Sequence, residues 1–501
     1  MNTNTGGRIT YGNLALPGRQ GLLGLSLPVF LAGLVGLGLG MVLFIITEWW
    51  VGLVFVAVWF AVMTPMVIPV SNGRNLYQWA GLHRAQRKAS RKHTNILING
   101  PAGRVPDGKF TLPGLAAQST VTDYDTAFGV PFAIVSIPST DHHTVVLEVH
   151  PTGNELVDQS VIDGQVAQWG AWLAYLGTED GIVAASVTVE TSIDSGLRLR
   201  RATLTPVRDD SSDFGKAVAG ELSKGFGMAS PAISTRIAIT FTGKIAGEKK
   251  GKSMQQVSEE IANQLPTLMD SLRNTGAGSH VTACTSQDLA DYVRAAYDPH
   301  VAPEIEEQRA AGGTGLTWDQ AGPAFHQVEL DHYFHDRAIS TSWTLGGEPR
   351  GTFYDTSLAR LLAPERKVAR KRVTLLYRPI PAARATAIAD RKVRNAEFVA
   401  RSARSQRAVS SSVQRAAVQT AEEEAAGAGM TLFGMVVTAT VLSKDELRTA
   451  RQIIASQGAQ ARLRLRPALG SQDTAFVAAL PLGVVLPFHT AIPATITDTI
   501  A

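Results

Sequence analysis

The feature of this 501-residue sequence that most restricts its fold is a pair of uncharged apolar runs near the amino terminus. Residues 28–46 and residues 49–70 contain no Asp, Glu, Lys or Arg. Each run is close to the roughly 20 residues that an α-helix needs to cross the hydrocarbon core of a bilayer. Only Thr47 and Glu48 separate the two runs. The sequence therefore predicts a two-helix transmembrane hairpin over residues 28–70.

The residues at the centre of this hairpin suit a turn at a membrane surface. Glu48 is unfavourable in hydrocarbon, whereas Trp49 and Trp50 favour the interface between lipid and water. In the first run, Gly36 and Gly40 form a G-x-x-x-G pattern, which lets helix backbones approach closely. We interpret this pattern as packing of the first helix on the second, with oligomerisation as an alternative. A cleaved signal peptide would have a much shorter apolar region, and a buried soluble hairpin is a further alternative.

A cluster of basic residues after the second run predicts the orientation of the hairpin. The cluster consists of Arg74, Arg84, Arg87, Lys88, Arg91 and Lys92. Arg8 and Arg19 precede the first run, and the turn between the runs has no basic residue. Positive flanks remain on the cytoplasmic side, so we expect a multi-pass protein of the cell membrane with both termini in the cytoplasm. Contact with anionic lipid headgroups would also explain the cluster.

The remainder of the chain has the composition of a folded cytoplasmic body. Apolar residues make up 45% of the sequence, which is enough for a sizeable core. A net charge of +4 is low for a dedicated nucleic-acid-binding protein, and the single Cys284 excludes an intrachain disulfide framework. β-Branched runs interspersed with amphipathic helical patterns predict an α+β fold.

The predicted organisation follows from shifts in composition along the chain. It comprises a cytoplasmic segment 1–27, the transmembrane hairpin 28–70, a basic juxtamembrane segment 71–109, an α+β subdomain 110–302, a linker or loop 303–323, and a second α+β subdomain 324–501 with a long helix at about 382–426. Near the end, the pattern predicts strands at 431–442 and 461–467 around a helix at 445–459. The apolar run 474–487 is predicted as a last strand.

The segment 247-GEKKGKS-253 looks like a nucleotide-binding loop because it ends in Gly-Lys-Ser before a predicted helix. Such a loop requires G-x-x-x-x-G-K-[ST], so that its backbone N–H groups wrap the phosphates. The residue five positions before Gly251 is Ala246, and the nearest glycine leaves only three residues between. The spacing favours a polar connection. Lys252 and Ser253 are weak candidates for nucleotide binding, and we expect no cofactor.

Other candidate sites are also weak. The cluster 331-DHYFHD-336 lacks the H-E-x-x-H spacing that places metal ligands on one helix face. Histidines in 141-DHH-143 fall in a predicted turn, where they are normally solvated. The basic segments 366-RKVARKR-372 and 391-RKVR-394 could contact DNA, but a run of charge usually marks a solvated face. We find no catalytic constellation and expect no metal site.

Two parts of the chain resemble components of conjugation machinery. The hairpin followed by 73-GRNLYQWAGLHRAQRKASRK-92 resembles the small PrgI-type (VirB-three-like) membrane subunit of conjugation and type IV secretion systems. The body is similar to the amino-terminal domain of the VirB-four-like conjugation ATPase. This second resemblance rests on 158-DQSVIDGQVAQWGAWLAYL-176, 373-VTLLYRPIPAARATAIADRKVRNAEF-398, the long helix after it and 475-AFVAALPLGVVLP-487.

The resemblance implies a non-enzymatic structural subunit. In that ATPase family the motor domain follows the equivalent of the last segment, whereas here the chain ends at Ala501. The expected partners are a separate conjugation-type ATPase, other secretion-channel subunits and the lipid bilayer. The expected role is docking the motor at the membrane channel for DNA transfer. Two alternatives are a nucleotide-binding enzyme that uses Lys252 and Ser253, and a membrane-tethered DNA-binding module that uses 366–372.

Overall fold

Two long apolar helices precede a body of mixed helices and strands in the structure, which is a computed structural model. It describes residues 2–4, 8–10, 27–67, 69–71, 74–103, 105–151, 153, 157–179, 181–193, 203–205, 207–208, 210–225, 231–245, 251–278, 280–347, 354–381, 384–388, 390–391, 393–394, 397, 418 and 429–490. The main helices are α1 Leu27–Ile46, α2 Trp49–Val67, α3 Leu76–Arg91, α4 Gln159–Leu176, α5 Asp213–Gly225, α6 Met254–Leu272, α7 Ser286–Tyr297, α8 Ala302–Ala311, α9 Ala359–Leu362, α10 Glu446–Gln460 and α11 Gln472–Ala478.

Most strands of the described residues belong to one antiparallel sheet. The strands are β1 Asn2–Asn4, β2 Arg8–Thr10, β3 Pro69–Ser71, β4 Arg74–Asn75, β5 Ile96–Ile98, β6 Thr120–Asp125, β7 Pro131–Ile137, β8 His142–Val149, β9 Ile182–Ile193, β10 Pro231–Thr242, β11 Val281–Ala283, β12 Phe325–Val328, β13 Tyr333–His335, β14 Ala338–Leu345, β15 Arg370–Pro379, β16 Thr431–Val441 and β17 Leu465–Pro467. Thirteen of them join in the order β5-β12-β13-β14-β16-β15-β9-β10-β8-β7-β6, with β11 beside β8 and β17 beside β14. The α+β class is therefore confirmed.

Helices cover both faces of this sheet. On the first face, α7 and α11 pack on alternate residues of the central strands, such as Val146 and Ala238. On the second face, α4 and α6 cover Leu147 and Ile239, and α10 covers the β16 side, including Val437. The alternation of side chains along each strand supplies these two faces. Nearly every central strand is consequently buried on both sides.

The shared sheet corrects the predicted division of the body. Strands from segments 71–109, 110–302 and 324–501 all join it, so residues 303–323 do not separate two sheets. Helix α8 occupies much of that predicted linker. The pattern missed it because its face is mostly polar and only one residue, Ile305, is buried.

The predicted strand at 474–487 is wrong. The chain forms α11 and then a short 3₁₀ turn at Leu486–His489. A short continuous apolar run fits a buried helix as well as a buried strand, so periodicity alone could not separate them. Of the predicted long helix at 382–426, the structure describes only scattered helical residues up to 397 and residue 418, and the rest lies outside the described residues.

Candidate membrane anchor and docking interface

Helices α1 and α2 pack against each other through small residues. A Cβ added at Gly36 would overlap the indole of Trp59, and one at Gly40 would overlap the Cγ2 of Val56. The Nε1 of Trp59 also donates a hydrogen bond to the carbonyl of Ala32 at 3.2 Å. Both candidate packing glycines therefore lie in the contact between the two helices of one chain.

The turn between α1 and α2 is as tight as the sequence requires. Glu48 is exposed there, and the neighbouring Trp49 and Trp50 also expose more than half of their surface. A Cβ at Gly52 would lie 2.8 Å from the Cα of Phe44, so a larger residue would push the helices apart. Close backbone approach thus extends from the turn along the hairpin.

The hairpin exposes a large apolar surface. Among the described residues, α2 is long and apolar enough to cross a membrane by length and composition alone, and Phe30–Ile46 of α1 forms a shorter apolar helix. The exposed apolar side chains of the two helices include Leu31, Leu34, Val35, Leu37, Leu39, Met41, Val42, Phe44, Ile45, Ile46, Leu53, Val54, Val58, Phe60, Val62 and Val67. A surface of this extent marks an interaction site.

Hydrogen bonds join the start of α3 to the end of the hairpin. The side chain of Asn75 accepts from the backbone N–H of Gln78 at 2.8 Å, and the Gln78 side chain accepts from the Asn75 N–H at 3.3 Å. Asn75 also donates to the carbonyl of Met66 at 3.0 Å, and the Tyr77 hydroxyl donates to the carbonyl of Val62 at 3.0 Å. The capping box therefore begins α3 and holds it against α2.

The other end of α3 contacts the sheet. The Nε2 of Gln86 donates to the carbonyl of Val328 at 2.9 Å and to Glu329 Oε2 at 3.3 Å. Leu82 packs so closely on the loop before α11 that a Cβ at Gly470 would lie 2.8 Å from its Cδ2. Through α3, the apolar hairpin is thus connected to the body by specific contacts.

The predicted basic cluster lies mainly on the outer side of α3. Arg84, Arg87, Lys88, Arg91 and Lys92 are exposed. Their helical positions are opposite to those of the residues that contact the sheet. This surface can attract anions, because no neighbouring element covers it in the described part of the chain.

Arg74 differs from the rest of the cluster. It is half-buried, and burial followed by the nearby charge of Arg466 lowers the pKa of its guanidinium. Sequence reasoning missed Arg466, since its pairing with β14 depends on a register that the sequence does not reveal.

The weak nucleotide candidates have partners around helix α6. Ser253 is the N-cap: its hydroxyl accepts from the Gln256 N–H at 3.3 Å, and the Gln256 side chain accepts from the Ser253 N–H at 2.8 Å. The Nζ of Lys252 lies 2.5 Å from Glu260 Oε2. These contacts cap the N-terminus of α6 and stabilise the helix. Residues 246–250 of the loop lie outside the described residues.

The histidines of the DHYFHD cluster do not converge. The Nδ1 of His332 lies 2.6 Å from Asp331 Oδ1. His335 is buried elsewhere, with its Nδ1 2.5 Å from the Tyr297 carbonyl and its Nε2 2.7 Å from Ser340 Oγ. Burial lowers the pKa of His335 to about 4, so its ring is neutral at pH 7. The described residues hold no group of three or more His, Cys, Asp or Glu that could bind a metal.

The pair His142 and His143 is buried rather than solvated, which corrects the expectation of an exposed turn. Strand β8 begins at His142, so both histidines belong to the strand and not to a turn. The Nδ1 of His143 contacts Ser136 Oγ at 3.0 Å, and its Nε2 lies 3.4 Å from Asp141 Oδ1. Burial lowers the pKa of His142 to about 4 and raises that of Cys284 to about 12, so that neither group is charged at pH 7.

Three basic residues of the RKVARKR segment point into the body. Arg370 and Arg372 form ion pairs with Glu190 at 3.0 and 2.7 Å. Lys371 is buried on the opposite face, and its Nζ donates to Gln457 Oε1 at 3.3 Å. Three of the five cations of the proposed DNA-contact segment are therefore unavailable at the surface.

The carboxylate of Glu190 is the centre of a buried ionic network. It accepts from the Tyr292 hydroxyl at 3.2 Å, and the Arg236 guanidinium lies 4.1 Å from the centroid of that ring. Arg236 in turn pairs with Glu148 at 2.8 Å. Although burial alone would raise it, the surrounding arginines lower the pKa of Glu190 to about 2. The network links the strands β8, β9, β10 and β15 to one another and to α7.

An exposed apolar stripe on α5 also escaped sequence reasoning. Phe214 is 79% exposed, and Val218 and Leu222 follow it at four-residue intervals on the same side of the helix. Ile193 and Ile233, near the adjoining ends of β9 and β10, are exposed as well. The repeated spacing in 213–225 was the available signal, but spacing cannot show which side of a helix the body covers.

Comparison with known proteins adds one match. A family model described as a domain of unknown function, DUF8461, matches residues 18–78. The matched segment contains α1, α2 and the first residues of α3, including Gly36, Gly40 and Arg74. No curated protein matches the chain. The similarity therefore falls on the hairpin and its connection, and the function assigned to the body depends on its own geometry.

Proposed function

We propose that this chain is a membrane-anchored structural subunit of a conjugation or type IV secretion-like complex, which docks a separate motor ATPase at the membrane channel. The observation that carries the proposal is the continuous connection from the apolar hairpin, through α3, to the large sheet. Gln86 and Leu82 attach the helix to the body, and Asn75 attaches it to α2. A body held in this way has a defined position relative to the membrane.

The anchor consists of α1 and α2 in this proposal. Their exposed apolar side chains suit a lipid environment, and Gly36 and Gly40 allow the close helix contact that small residues provide in membranes. Basic residues follow α2 and flank α1, which favours a hairpin with both termini in the cytoplasm. The protein would then be a multi-pass protein of the cell membrane.

The docking surface for the motor is the apolar stripe on α5. Its residues Phe214, Val218 and Leu222 are exposed at four-residue intervals along the helix, where a partner has access. Exposed apolar side chains in a contiguous stripe favour a protein partner.

The two alternative functions receive less support. Lys252 and Ser253 have helix-stabilising partners, which favours a separate source of ATP turnover. Arg370 and Arg372 are paired with Glu190 inside the body, which leaves few cations of that segment for DNA. Labelled-ATP binding with a Lys252→Ala control, and DNA binding as a function of salt, test these alternatives.

The test is affinity capture of the full chain from its native membranes in mild detergent, followed by mass spectrometry. We expect the wild-type chain to recover a motor ATPase and channel subunits. A Phe214→Ser, Val218→Ser variant should lose the motor and remain in the membrane fraction after alkaline extraction. Phe128→Ser, at another exposed aromatic residue of 81% exposure, is the matched control and should retain the motor.

Two results would contradict the proposal. Release of the wild-type chain from membranes by alkali would contradict the proposed membrane anchor. Capture of the wild-type chain alone, under conditions that keep another membrane complex intact, would contradict the proposed docking role.

A further inference from the structure

The basic side of α3, which consists of Arg84, Arg87, Lys88, Arg91 and Lys92, carries charge that nothing in the helix balances. All five side chains are exposed, and residues 76–92 contain no Asp or Glu. Like charges four positions apart, such as Arg84 and Lys88, destabilise a helix. The helix dipole favours Lys88 and Arg91, which lie in the last turn, but it does not account for Arg84 and Arg87. Any balancing negative charge therefore comes from outside the helix.

A tight reversal of the chain brings the start of α3 back to the end of α2. Strand β3 pairs antiparallel with β4, which places Asn75 opposite Pro69. Asn75 is the N-cap of α3, and its side chain donates to the carbonyl of Met66 in the last turn of α2 at 3.0 Å. The helix consequently begins at the level at which the apolar hairpin ends.

A contact of Tyr77 identifies the side of α3 that faces the hairpin. The Tyr77 hydroxyl donates to the carbonyl of Val62, within α2, at 3.0 Å. Arg84, Lys88 and Arg91 follow Tyr77 by nearly whole numbers of helical turns, so they lie on the same side of α3. The three cations are exposed, and α2 itself therefore does not cover them.

The body covers the opposite side of α3. The Nε2 of Gln86 donates to the carbonyl of Val328 at 2.9 Å, and Leu82 packs against the loop that contains Gly470. These contacts fix the rotation of the helix about its axis. The basic side is held away from the sheet and towards the level at which the hairpin ends.

We propose that the basic side of α3 binds the anionic headgroups of the phospholipids that surround the hairpin. Lys and Arg close to an anionic lipid surface are attracted to its phosphate groups. Such a surface supplies negative charge along the whole basic side, whereas a single soluble anion reaches only part of it. Tyr77, which is 47% exposed on the same side, also favours the interface between lipid and water.

This contact makes the position of the body depend on lipid composition. With its basic side on the headgroups and its other side on the sheet, α3 separates the sheet from the bilayer by the width of one helix. The inference rests on the proposed function, since it requires the hairpin to be in a membrane. It adds the lipid class and the residues that recognise it.

The test uses the full chain reconstituted in nanodiscs, with amide hydrogen exchange of residues 76–92 followed by mass spectrometry. One nanodisc contains phosphatidylcholine alone, and the other contains phosphatidylcholine mixed with phosphatidylglycerol. We expect phosphatidylglycerol to slow the exchange of α3 in the wild-type chain about fivefold or more, which corresponds to the attraction of at least one cation to an anionic surface. The protection should decrease as the salt concentration rises.

A variant without the basic side should lose this protection. In the chain with Arg84→Gln, Arg87→Gln, Lys88→Gln and Arg91→Gln, α3 should exchange at the same rate in both nanodiscs. The matched control removes four exposed cations of the body through Lys244→Gln, Arg360→Gln, Arg366→Gln and Lys367→Gln, and therefore has the same change in net charge. Its α3 should retain the wild-type protection.

Several outcomes would overturn the inference. Equal exchange of wild-type α3 in the two nanodiscs would remove the preference for an anionic headgroup. Equal loss of protection in the variant and in the control would mean a diffuse effect of net charge. Protection in phosphatidylcholine nanodiscs by inorganic phosphate or by a DNA duplex would make a soluble anion the partner.

The same measurement separates lipid binding from folding. In phosphatidylcholine alone, α3 of the variant should exchange no faster than wild-type α3, because the changes relieve like-charge repulsion, and faster exchange would overturn the inference by making the cations structural. Alkaline extraction of the wild-type chain distinguishes the two proposals. Retention in the membrane without protection by phosphatidylglycerol contradicts this inference alone, whereas release from the membrane contradicts the proposed function.

Discussion

Residues 74–92 and residues 366–372 are both dense in Lys and Arg, and the fold places them in opposite environments. In α3, Arg84, Arg87 and Lys88 project outwards, because the other side of the helix contacts the sheet. In the second segment, Arg370 and Arg372 pair with a buried glutamate. One charged segment forms a surface, and the other forms part of the core.

The difference follows from secondary structure and from position in the fold. A helix can group its cations on one exposed side while the opposite side packs. A central strand alternates, so Arg370 and Arg372 point to one face of β15 and Lys371 to the other. Because helices cover both faces, all three side chains are enclosed. A basic run therefore indicates a surface only when the element that carries it has an uncovered side.

The largest expected effect comes from Glu190→Gln. The change leaves Arg370 and Arg372 buried without their counter-charge, so the free energy of unfolding should fall by about 3–5 kcal/mol. Urea denaturation of the detergent-solubilised chain, followed by tryptophan fluorescence, measures it. The control Glu259→Gln, at an exposed position of α6, should change stability by less than about 0.5 kcal/mol. An unchanged midpoint in Glu190→Gln would make the buried network dispensable.

The pH dependence of stability should distinguish Lys371 from the lysines of α3. Burial lowers the pKa of Lys371 from 10.5 to about 8. Between these values the unfolded chain binds a proton that the folded chain has released, so wild-type stability rises with pH. Relative to Lys371→Met, we expect a gain of about 3 kcal/mol from pH 8 to pH 10.5. Lys88→Met, at an exposed site, should follow the wild-type curve of stability against pH. If the stability difference between the wild type and Lys371→Met does not change with pH, the prediction for the buried Lys371 is wrong.

A smaller effect should follow from Gln86→Ala on the inner side of α3. The change removes the hydrogen bonds to Val328 and Glu329 and should reduce the free energy of unfolding by about 1 kcal/mol. The same denaturation measurement serves, and protease cleavage between α3 and β5 should become faster. If neither changes, the helix is not held to the sheet through this residue.

The smallest effect should come from the outer side of α3. Arg84 is exposed and contributes little to packing, so Arg84→Ala should alter the free energy of unfolding by less than about 0.5 kcal/mol. Comparison of its urea midpoint with that of Gln86→Ala tests the two sides of one helix. A loss above about 1 kcal/mol would mean that the outer side is also packed.

Local pattern was sufficient for most elements of the body. Helices such as α6 and α7 begin at capping boxes that are visible in the sequence, with Ser253 and Thr285 as the N-caps. The strand predicted at 431–442 and the helix predicted at 445–459 agree with β16 and α10 to within one residue, because a β-branched run and an amphipathic run are each unambiguous there. The apolar run 474–487 was predicted wrongly, because burial on all sides removes the periodic signal.

The candidate site was predictable in its parts and not in its assembly. Gly36, Gly40 and the basic residues after α2 are recognisable from spacing and charge. The hydrogen bond from Gln86 of α3 to the carbonyl of Val328 was not, because 242 residues separate the two in the sequence. Likewise, the ion pair between Lys252, a weak candidate for nucleotide binding, and Glu260 could be recognised only in the folded structure.

By itself, the sequence determined the two apolar helices, the tight turn at Glu48, the basic flank and the α+β class. These depend on composition and on periodicity over a few residues, which act before any distant contact forms. Tertiary structure alone decided that one sheet unites the body and that Arg370 and Arg372 are interior while Arg84 is exterior. The physical reason is that burial and charge pairing depend on strand register and on helix cover, and both arise from contacts between residues far apart in the chain.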